Sequence, residues 1–329
     1  MHKQITLKEL SKILGVSIST ISKALNNSYE ISDSTKERIQ KVAKEYNYQP
    51  NIIAKNLKSG KTNTIGVIIP SVQNYFLARV LYGIEDTLAN TPYNSMICIT
   101  KESLEREKNG VLTLSNGLVD GFIIATSEET QKEQDYDHYQ FALNKNKPVV
   151  VFDRIVPNLD CDKIITNDYD AVYTTTKELV KYGLKKVMSV ATIQTLSVGI
   201  RRLKGYKDAV EKPYIIRSTP EEVEEKIISV IKTDKPDAIM AIDEAASLAS
   251  IRACKKLGLK IPEEISIVGY TGTVMAENLM PRLTTINQHG YTVGKTAAEM
   301  LMQKLQKKSK ELVSDTVNST LQKRDSTNF

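Results

Sequence analysis

The chain has 329 residues, 41% of them hydrophobic and 26% charged, with a net charge of +6. That composition excludes a disordered chain, and the length exceeds one ordinary core, so two or three compact units are expected. No apolar run approaches the ~20 residues of a membrane span, and the start MHKQITLKEL holds no apolar signal core, which points to the cytoplasm.

The charge is unevenly placed. Residues 1–61 carry 11 Lys and Arg against 5 Asp and Glu, while the remaining residues carry 34 of each sign. A basic head on a neutral body suits a polyanion-binding module. The three cysteines (Cys98, Cys161, Cys254) and three histidines (His2, His138, His289) are scattered. They offer neither a disulfide framework nor metal-ligand spacing, so no metal or cofactor is expected.

The segment TLKELSKILGVSISTISKALNN predicts two helices around a tight bend. Thr6 caps the first helix, and Glu9 three residues on completes a capping box. Leu7, Leu10, Ile13 and Leu14 form its apolar stripe, and Gly15 ends it in a left-handed turn. Val16 packs inward. Ser17 or Ser19 caps the second helix, Ile21, Ala24 and Leu25 face the core, and Asn26-Asn27 ends it. A third helix from Ser32 or Ser34 buries Ile39, Val42, Ala43 and Tyr46.

Such a bend between short helices is the helix-turn-helix, in which the first helix braces the second for entry into the major groove. A plain helical hairpin is the alternative, and the local basic excess argues against it. On the second helix Ile18, Ser19 and Lys23 point outward, toward thymine methyls and guanine acceptors, while Thr20 and Ser22 can hold phosphates. Thr6, Ser17 and Asn26 at the helix ends join this DNA-binding set.

Pro50 then breaks the third helix, and Asn51 caps a short fourth helix to about Leu57, before Ser59-Gly60. Two turns are marginal alone. Ala54 and Leu57 share one face, flanked by Lys55 and Lys58, so a pair of these helices can set two leucines against a base step in the minor groove.

The head, the segment PNIIAKNLK and the TNTIGVIIP that follows resemble the LacI/GalR family of bacterial transcription regulators, over essentially the whole chain. The resemblance implies a homodimer, a recognition helix in each half-site of double-stranded operator DNA, and hinge helices that fold on the operator with Leu57 as the wedge. Lys23 stands where many relatives have Arg, which leaves the preferred operator open.

From Thr64 on, apolar runs alternate with amphipathic helices. Strands are predicted at Thr64–Pro70, Ser95–Thr100, Asp120–Ala125, Pro148–Asp153, Lys186–Ala191, Asp237–Ile242, Ile265–Tyr270 and Leu283–Ile286. Alternating βαβ units mean parallel sheets with helices on both faces, here two doubly wound lobes. The expected fold is therefore an all-α helix-turn-helix head (residues 1–48), a hinge helix and linker (49–61), and an α/β core (62–329). Lobe one would take about 62–161 and 289–312, and lobe two about 162–288 and 313–329.

Ligands of such sheets bind beyond the carboxyl ends of the strands. Asn74, Tyr75, Phe76, Asp153, Arg154, Arg202, Asp243, Thr271 and Gln288 fall there. Aromatic faces, carboxylates and guanidiniums suit a small polyhydroxylated ligand. For Asn74 and Asp243 helix capping is the competing reading.

The same resemblance implies a core similar to periplasmic pentose- and hexose-binding proteins. Asn74 and Phe76, the Asp153-Arg154 pair, Arg202 within RLKGY, Asp243 and Gln288 match their sugar-site positions, and Tyr75 matches a stacking aromatic. Ile242 and Thr271 depart, standing where Asn and Asp are usual. Their loss is expected to leave Arg154 and Arg202 less neutralised, which favours a carboxylated or phosphorylated sugar. Residues 208–219 look shortened, and the tail lacks the leucine heptads that make tetramers.

The chain contains no GxGxxG after a strand, no phosphate-binding GxxxxGK[ST], no GxSxG elbow and no HExxH. Asp168, Asp170 and the Asp243-Glu244 pair lack a neighbouring nucleophile. The sequence therefore reads as a non-enzymatic, nucleoid-associated repressor of a carbohydrate-utilisation operon, controlled by a sugar or sugar derivative. A non-regulatory solute-binding protein and a sugar-acting enzyme are the alternatives.

Overall fold

The computed structural model describes residues 5–49, 60–154, 156–306 and 311–328. The hinge candidates Asn51, Ala54, Lys55, Leu57 and Lys58 lie outside the described residues. The chain divides into two units, 1–62 and 63–329.

The head unit holds three helices, α1 (Leu7–Leu14), α2 (Ile18–Leu25) and α3 (Asp33–Glu45). Its capping box forms: the Thr6 N–H donates to Glu9 Oε2 at 2.8 Å, and the Glu9 N–H donates to Thr6 Oγ1 at 3.2 Å. Gly15 ends α1 at φ 65°. Arg38 on α3 donates to the freed Leu14 carbonyl at 3.1 Å, which fastens α1 to α3. Leu10, Leu14, Ile21, Ala24, Ile39 and Ala43 are buried together.

Two predicted core residues are exposed instead. Ile13 is 48% exposed and Tyr46 51%. Leu10 and Leu14, at i and i+4, already fill the contact with α2 and α3, and Ile13 lies a third of a turn off that line. Tyr46 falls at the C-cap of α3, and Tyr48 packs against the core in its place. Burial raises the pKa of the Tyr48 hydroxyl.

The core unit contains two six-stranded sheets. The strands are β1 (Thr64–Ile69), β2 (Asn94–Ile99), β3 (Gly121–Ile124), β4 (Val149–Phe152), β5 (Asp162–Thr166), β6 (Val187–Ala191), β7 (Tyr214–Arg217), β8 (Ala238–Ala241), β9 (Ser266–Gly269), β10 (Thr284–Asn287), β11 (Ser314–Val317) and β12 (Thr320–Gln322). The first sheet runs β11-β5-β4-β3-β1-β2, all parallel. The second runs β12-β10-β9-β8-β6-β7, parallel except for β12. Central strands such as β3, β4, β8 and β9 are buried throughout, as expected where helices cover both faces.

Lobe one adds α4 (Tyr75–Leu88), α5 (Leu104–Ser115), α6 (Glu128–Glu133) and α7 (Asp137–Asn144). Lobe two adds α8 (Asp168–Tyr182), α9 (Ser197–Ala209), α10 (Val223–Asp234), α11 (Glu244–Lys256) and α12 (Thr273–Asn278). Helix α13 (Gly290–Leu305) then returns to lobe one and packs on α4. The chain thus crosses between lobes three times, after β5, β10 and β11. No helix among the described residues is long and apolar enough to cross a membrane.

The expected lobe limits need correction. β5 pairs with β4, so lobe one continues past residue 161. β11 pairs with β5, so residues 314–317 belong to lobe one and not, as expected, to lobe two. A long-range contact sets both: Asp162 Oδ1 accepts the Val313 N–H at 2.8 Å. A second unpredicted strand, β7, occupies the segment that looked shortened.

Candidate functional site

On the head, α2 presents the predicted base-reading face. Ser17 caps it, accepting the Thr20 N–H at 3.1 Å. The Ser17 hydroxyl also bonds those of Ser19 and Thr20, at 2.7 and 2.8 Å. Ile18, Ser19 and Lys23 are exposed, and Thr20 and Ser22 are half-buried. Asn26 Nδ2 donates back to the Ser22 carbonyl at 2.8 Å, closing the helix, and Thr6 is held by Glu9.

Sequence reading missed the partner of Lys23, whose ammonium pairs with Glu30 in the loop after α2; both side chains are 47% exposed. That pair is weak and salt-screened, so phosphates or a guanine can displace it. It also missed Tyr29, 93% exposed in the same loop. Ser17→Ala is expected to cost about 1 kcal/mol in head stability through the lost cap. It should also weaken operator binding, because the N-terminal turn of α2 frays. Urea melts and gel-shift titrations of the variant check both.

In the core, one cavity of about 750 Å³ lies between the lobes. All nine predicted ligand residues line it: Asn74, Tyr75 and Phe76 at the start of α4, Asp153-Arg154 after β4, Arg202 on α9, and Asp243, Thr271 and Gln288 beyond β8, β9 and β10. They play unequal parts. Asn74 caps α4 through Oδ1, accepting the Leu77 N–H at 3.1 Å. Asp243 caps α11, with Oδ1 accepting the Ala246 N–H at 2.9 Å, and it clamps the Thr192 N–H and hydroxyl at 2.7 and 2.8 Å. For both, capping holds alongside the cavity position. The Tyr75 ring lies flush against Gly272 of lobe two, where a Cβ would stand 2.2 Å from it.

The two arginines are neutralised, contrary to expectation. Arg154 makes a bidentate pair with Glu102, at 2.6 and 2.8 Å, and donates to the Thr126 carbonyl at 2.7 Å. Arg202 Nε donates to Asp168 at 2.7 Å and Nη1 to the Ile242 carbonyl at 2.8 Å. Its guanidinium sits 4.0 Å from the Tyr270 ring centroid. Arg201 takes the second Asp168 oxygen at 2.8 Å. Asp168 is the carboxylate that the departures at Ile242 and Thr271 did not reveal.

Asp153 differs from the other charged groups. It is 8% exposed, at φ 66°, and its nearest cation is Arg154 Nε at 3.9 Å, beyond hydrogen-bond range. Burial raises its pKa; Arg154 opposes that shift, and Asp168 adds to it. Nearby, the hydroxyls of Tyr270 and Thr271 are buried without a hydrogen-bond partner among the described residues. These groups offer one carboxyl group and two hydroxyls to a ligand. Burial likewise raises the pKa of Glu244, another cavity residue that sequence reading passed over as a site.

Known proteins match both units. Residues 6–51 match the family model for bacterial regulatory proteins of the lacI family, and residues 176–327 the periplasmic binding protein-like domain. The chain is 28% identical over 316 residues to the HTH-type transcriptional repressor PurR of Vibrio atlanticus, covering 93% of each. It is 29% identical over 310 residues to the ribose operon repressor of Haemophilus influenzae, covering 91% of this chain and 92% of that protein. The fold is similar to that of the Lac repressor dimer bound to operator and the anti-inducer ONPF, with a TM-score of 0.86, 22% identity and 99% of each chain covered. It is also similar to a LacI family transcriptional regulator from Enterococcus faecium with bound ribose, with a TM-score of 0.71, 25% identity, and 80% and 98% covered. A helix-turn-helix head and a periplasmic-binding-protein-like core in one chain, each matched in its own right, place this protein in the lacI family of bacterial regulatory proteins, as a DNA-binding regulator of transcription.

Proposed function

We propose that the chain is a non-enzymatic repressor of a carbohydrate-utilisation operon, working in the cytoplasm at the nucleoid as a homodimer. Ile18, Ser19 and Lys23 of each protomer read one half-site of a pseudopalindromic operator, and Leu57 wedges the centre. A small polyhydroxylated effector in the cavity sets the grip. The observation that carries the effector reading is Asp153: a buried carboxylate facing a cavity without a hydrogen-bonded partner among the described residues is an acceptor that sugar hydroxyls satisfy.

Direct contacts between the lobes support coupling. Thr195 donates to Glu128 at 2.9 Å, Gln131 Nε2 donates to the Ser197 hydroxyl at 3.0 Å, and the Ser197 N–H donates to Gln131 at 3.2 Å. A ligand that changes the angle between lobes must make or break these bonds. The coupling to DNA is a reciprocal free energy, typically ~1–3 kcal/mol, or about 5–150-fold in affinity.

Asp153→Asn tests this. Sugar affinity should fall by roughly 10–100-fold, the value of a charge-assisted hydrogen bond, and operator binding should stop responding to sugar. The empty core should behave oppositely. Burial raises the Asp153 pKa above its unfolded value, so the unfolded chain ionises first, and stability falls as pH rises through that window. Above the unfolded value the raised pKa counts against the folded, empty core, a penalty that a neutral Asn does not carry, and the variant should melt higher at neutral pH. Calorimetry with and without sugar reads both effects. Unchanged sugar affinity would remove Asp153 from the site.

A further inference from the structure

Three guanidiniums line the cavity, and two are committed to carboxylate partners: Arg154 to Glu102 and Arg202 to the buried Asp168. The third, Arg79 on α4, has no carboxylate, carbonyl or hydroxyl acceptor among the described residues. Two aromatic rings hold it instead. Its guanidinium carbon lies over the Tyr82 ring, 5.1 Å from the centroid, and over the Tyr291 ring, 5.6 Å away. The rings are 6.0 Å apart at 47°. Tyr291 is itself fixed by donating its hydroxyl to Asp86.

Ring contacts of this kind stabilise the cation through the π-face. They leave its in-plane N–H donors open, five in a fixed fork that matches a carboxylate or phosphate. A long side chain on a helix surface ordinarily loses rotamer freedom when it grips a ligand. Between two placed rings, much of that loss has already occurred. The wall here also contains Gln288 and Thr292, neutral groups able to share an anion's remaining oxygens. The carboxylates of the cavity, Asp153 after β4 and Glu244 and Asp243 on α11 and its cap, belong to other elements than α4 and α13.

We infer that Arg79, framed by Tyr82 and Tyr291, anchors an anionic group on the hydroxylated effector, which is therefore a sugar acid or a sugar phosphate. This rests on the effector reading of the cavity. The charge preference expected from the sequence returns, carried by a different arginine from the two that suggested it. The shared chemistry is a planar or tetrahedral oxyanion on a polyhydroxylated body.

Calorimetric titration of the full-length protein separates the possibilities. The probes are glucuronate, galacturonate and gluconate in one arm, glucose 6-phosphate and ribose 5-phosphate in the second, and glucose, galactose and ribose as neutral counterparts. At least one charged probe should bind roughly tenfold or more tighter than its neutral counterpart, and the arm in which it falls names the oxyanion. In Arg79→Met that ratio should drop about tenfold or more. Arg79→Lys should retain part of it, because the charge remains while the fork is lost. A ratio unchanged in Arg79→Met, or a wild type that prefers the neutral sugar, overturns the assignment and leaves the effector reading standing. No binding by any probe, charged or neutral, overturns the effector reading and this inference with it.

Discussion

Arg202→Ala should lower the stability of the core by about 3–5 kcal/mol, the cost of breaking a buried ion pair from one side. The reason is the partner left behind. Asp168 is 1% exposed and accepts from Arg202 at 2.7 Å and from Arg201 at 2.8 Å. Without Arg202, one oxygen of that buried carboxylate loses its donor, the Ile242 carbonyl loses its 2.8 Å bond, and Tyr270 faces a void where a guanidinium lay. The Asp168 carboxylate also raises the Arg202 pKa against the opposing effect of burial, so the cation stays charged throughout. Urea unfolding followed by circular dichroism reads the loss, since the chain has no tryptophan. The double variant Arg202→Ala/Asp168→Asn should recover part of it, because a neutral amide tolerates burial better than an orphaned carboxylate. Sugar response should vanish in both. A single variant that melts like wild type would mean that Arg201 alone satisfies Asp168.

The outcome matters for reading the site from sequence. Arg202 was singled out as a ligand group from its motif, and it does line the cavity, but its strongest partner is structural. What could be read from sequence was local. Thr6 and Glu9, Ser17 and Thr20, Asn74 and Leu77, and Asp243 and Ala246 are all pairs three residues apart, and a cap needs no more than that. The strand-end positions were also readable, because parallel sheets put their ligand edge at one end of every strand.

What could not be read depends on distant residues. Glu102 lies 52 residues before Arg154, and Asp168 lies 34 before Arg202. No spacing rule connects them, so the guanidiniums looked unneutralised. β5 opens with Asp162 and Lys163, which weaken its apolar signature, and its place in lobe one is set by β11, about 150 residues later. β7 is an edge strand of four residues, with Tyr214 and Arg217 exposed. It pairs only with β6, so its sequence need not be apolar on both faces. Arg79 was missed because it sits inside a helix, about one turn past its start, where a charged residue ordinarily reads as solvated surface.

The cavity's shape depends in turn on a backbone contact far less tolerant than any side chain. Gly294→Ala should lower lobe-one stability by about 3 kcal/mol, at the upper end for overpacking, and shift the melting transition by roughly 2–4 °C per kcal/mol. A Cβ at 294 would stand 1.9 Å from the Val80 carbonyl oxygen, and one at 83 would stand 2.1 Å from that of Tyr291. The obstacles are backbone atoms of α4 and α13, which no rotamer change can move aside, so the helices themselves must separate. Tyr75, Phe76 and Arg79 come from α4, and Gly290 and Tyr291 from α13, so both sides of one cavity wall move together. Gly294→Ala should therefore weaken sugar binding as well as folding, although position 294 does not line the cavity. Ala89→Ser, at the exposed end of α4, is the matched control and should melt like wild type. Gly83→Ala should repeat the defect from the opposite helix. If Gly294→Ala melted and bound sugar as wild type does, α4 and α13 would not be in backbone contact, and the positioning of Arg79 between Tyr82 and Tyr291 would lose its support.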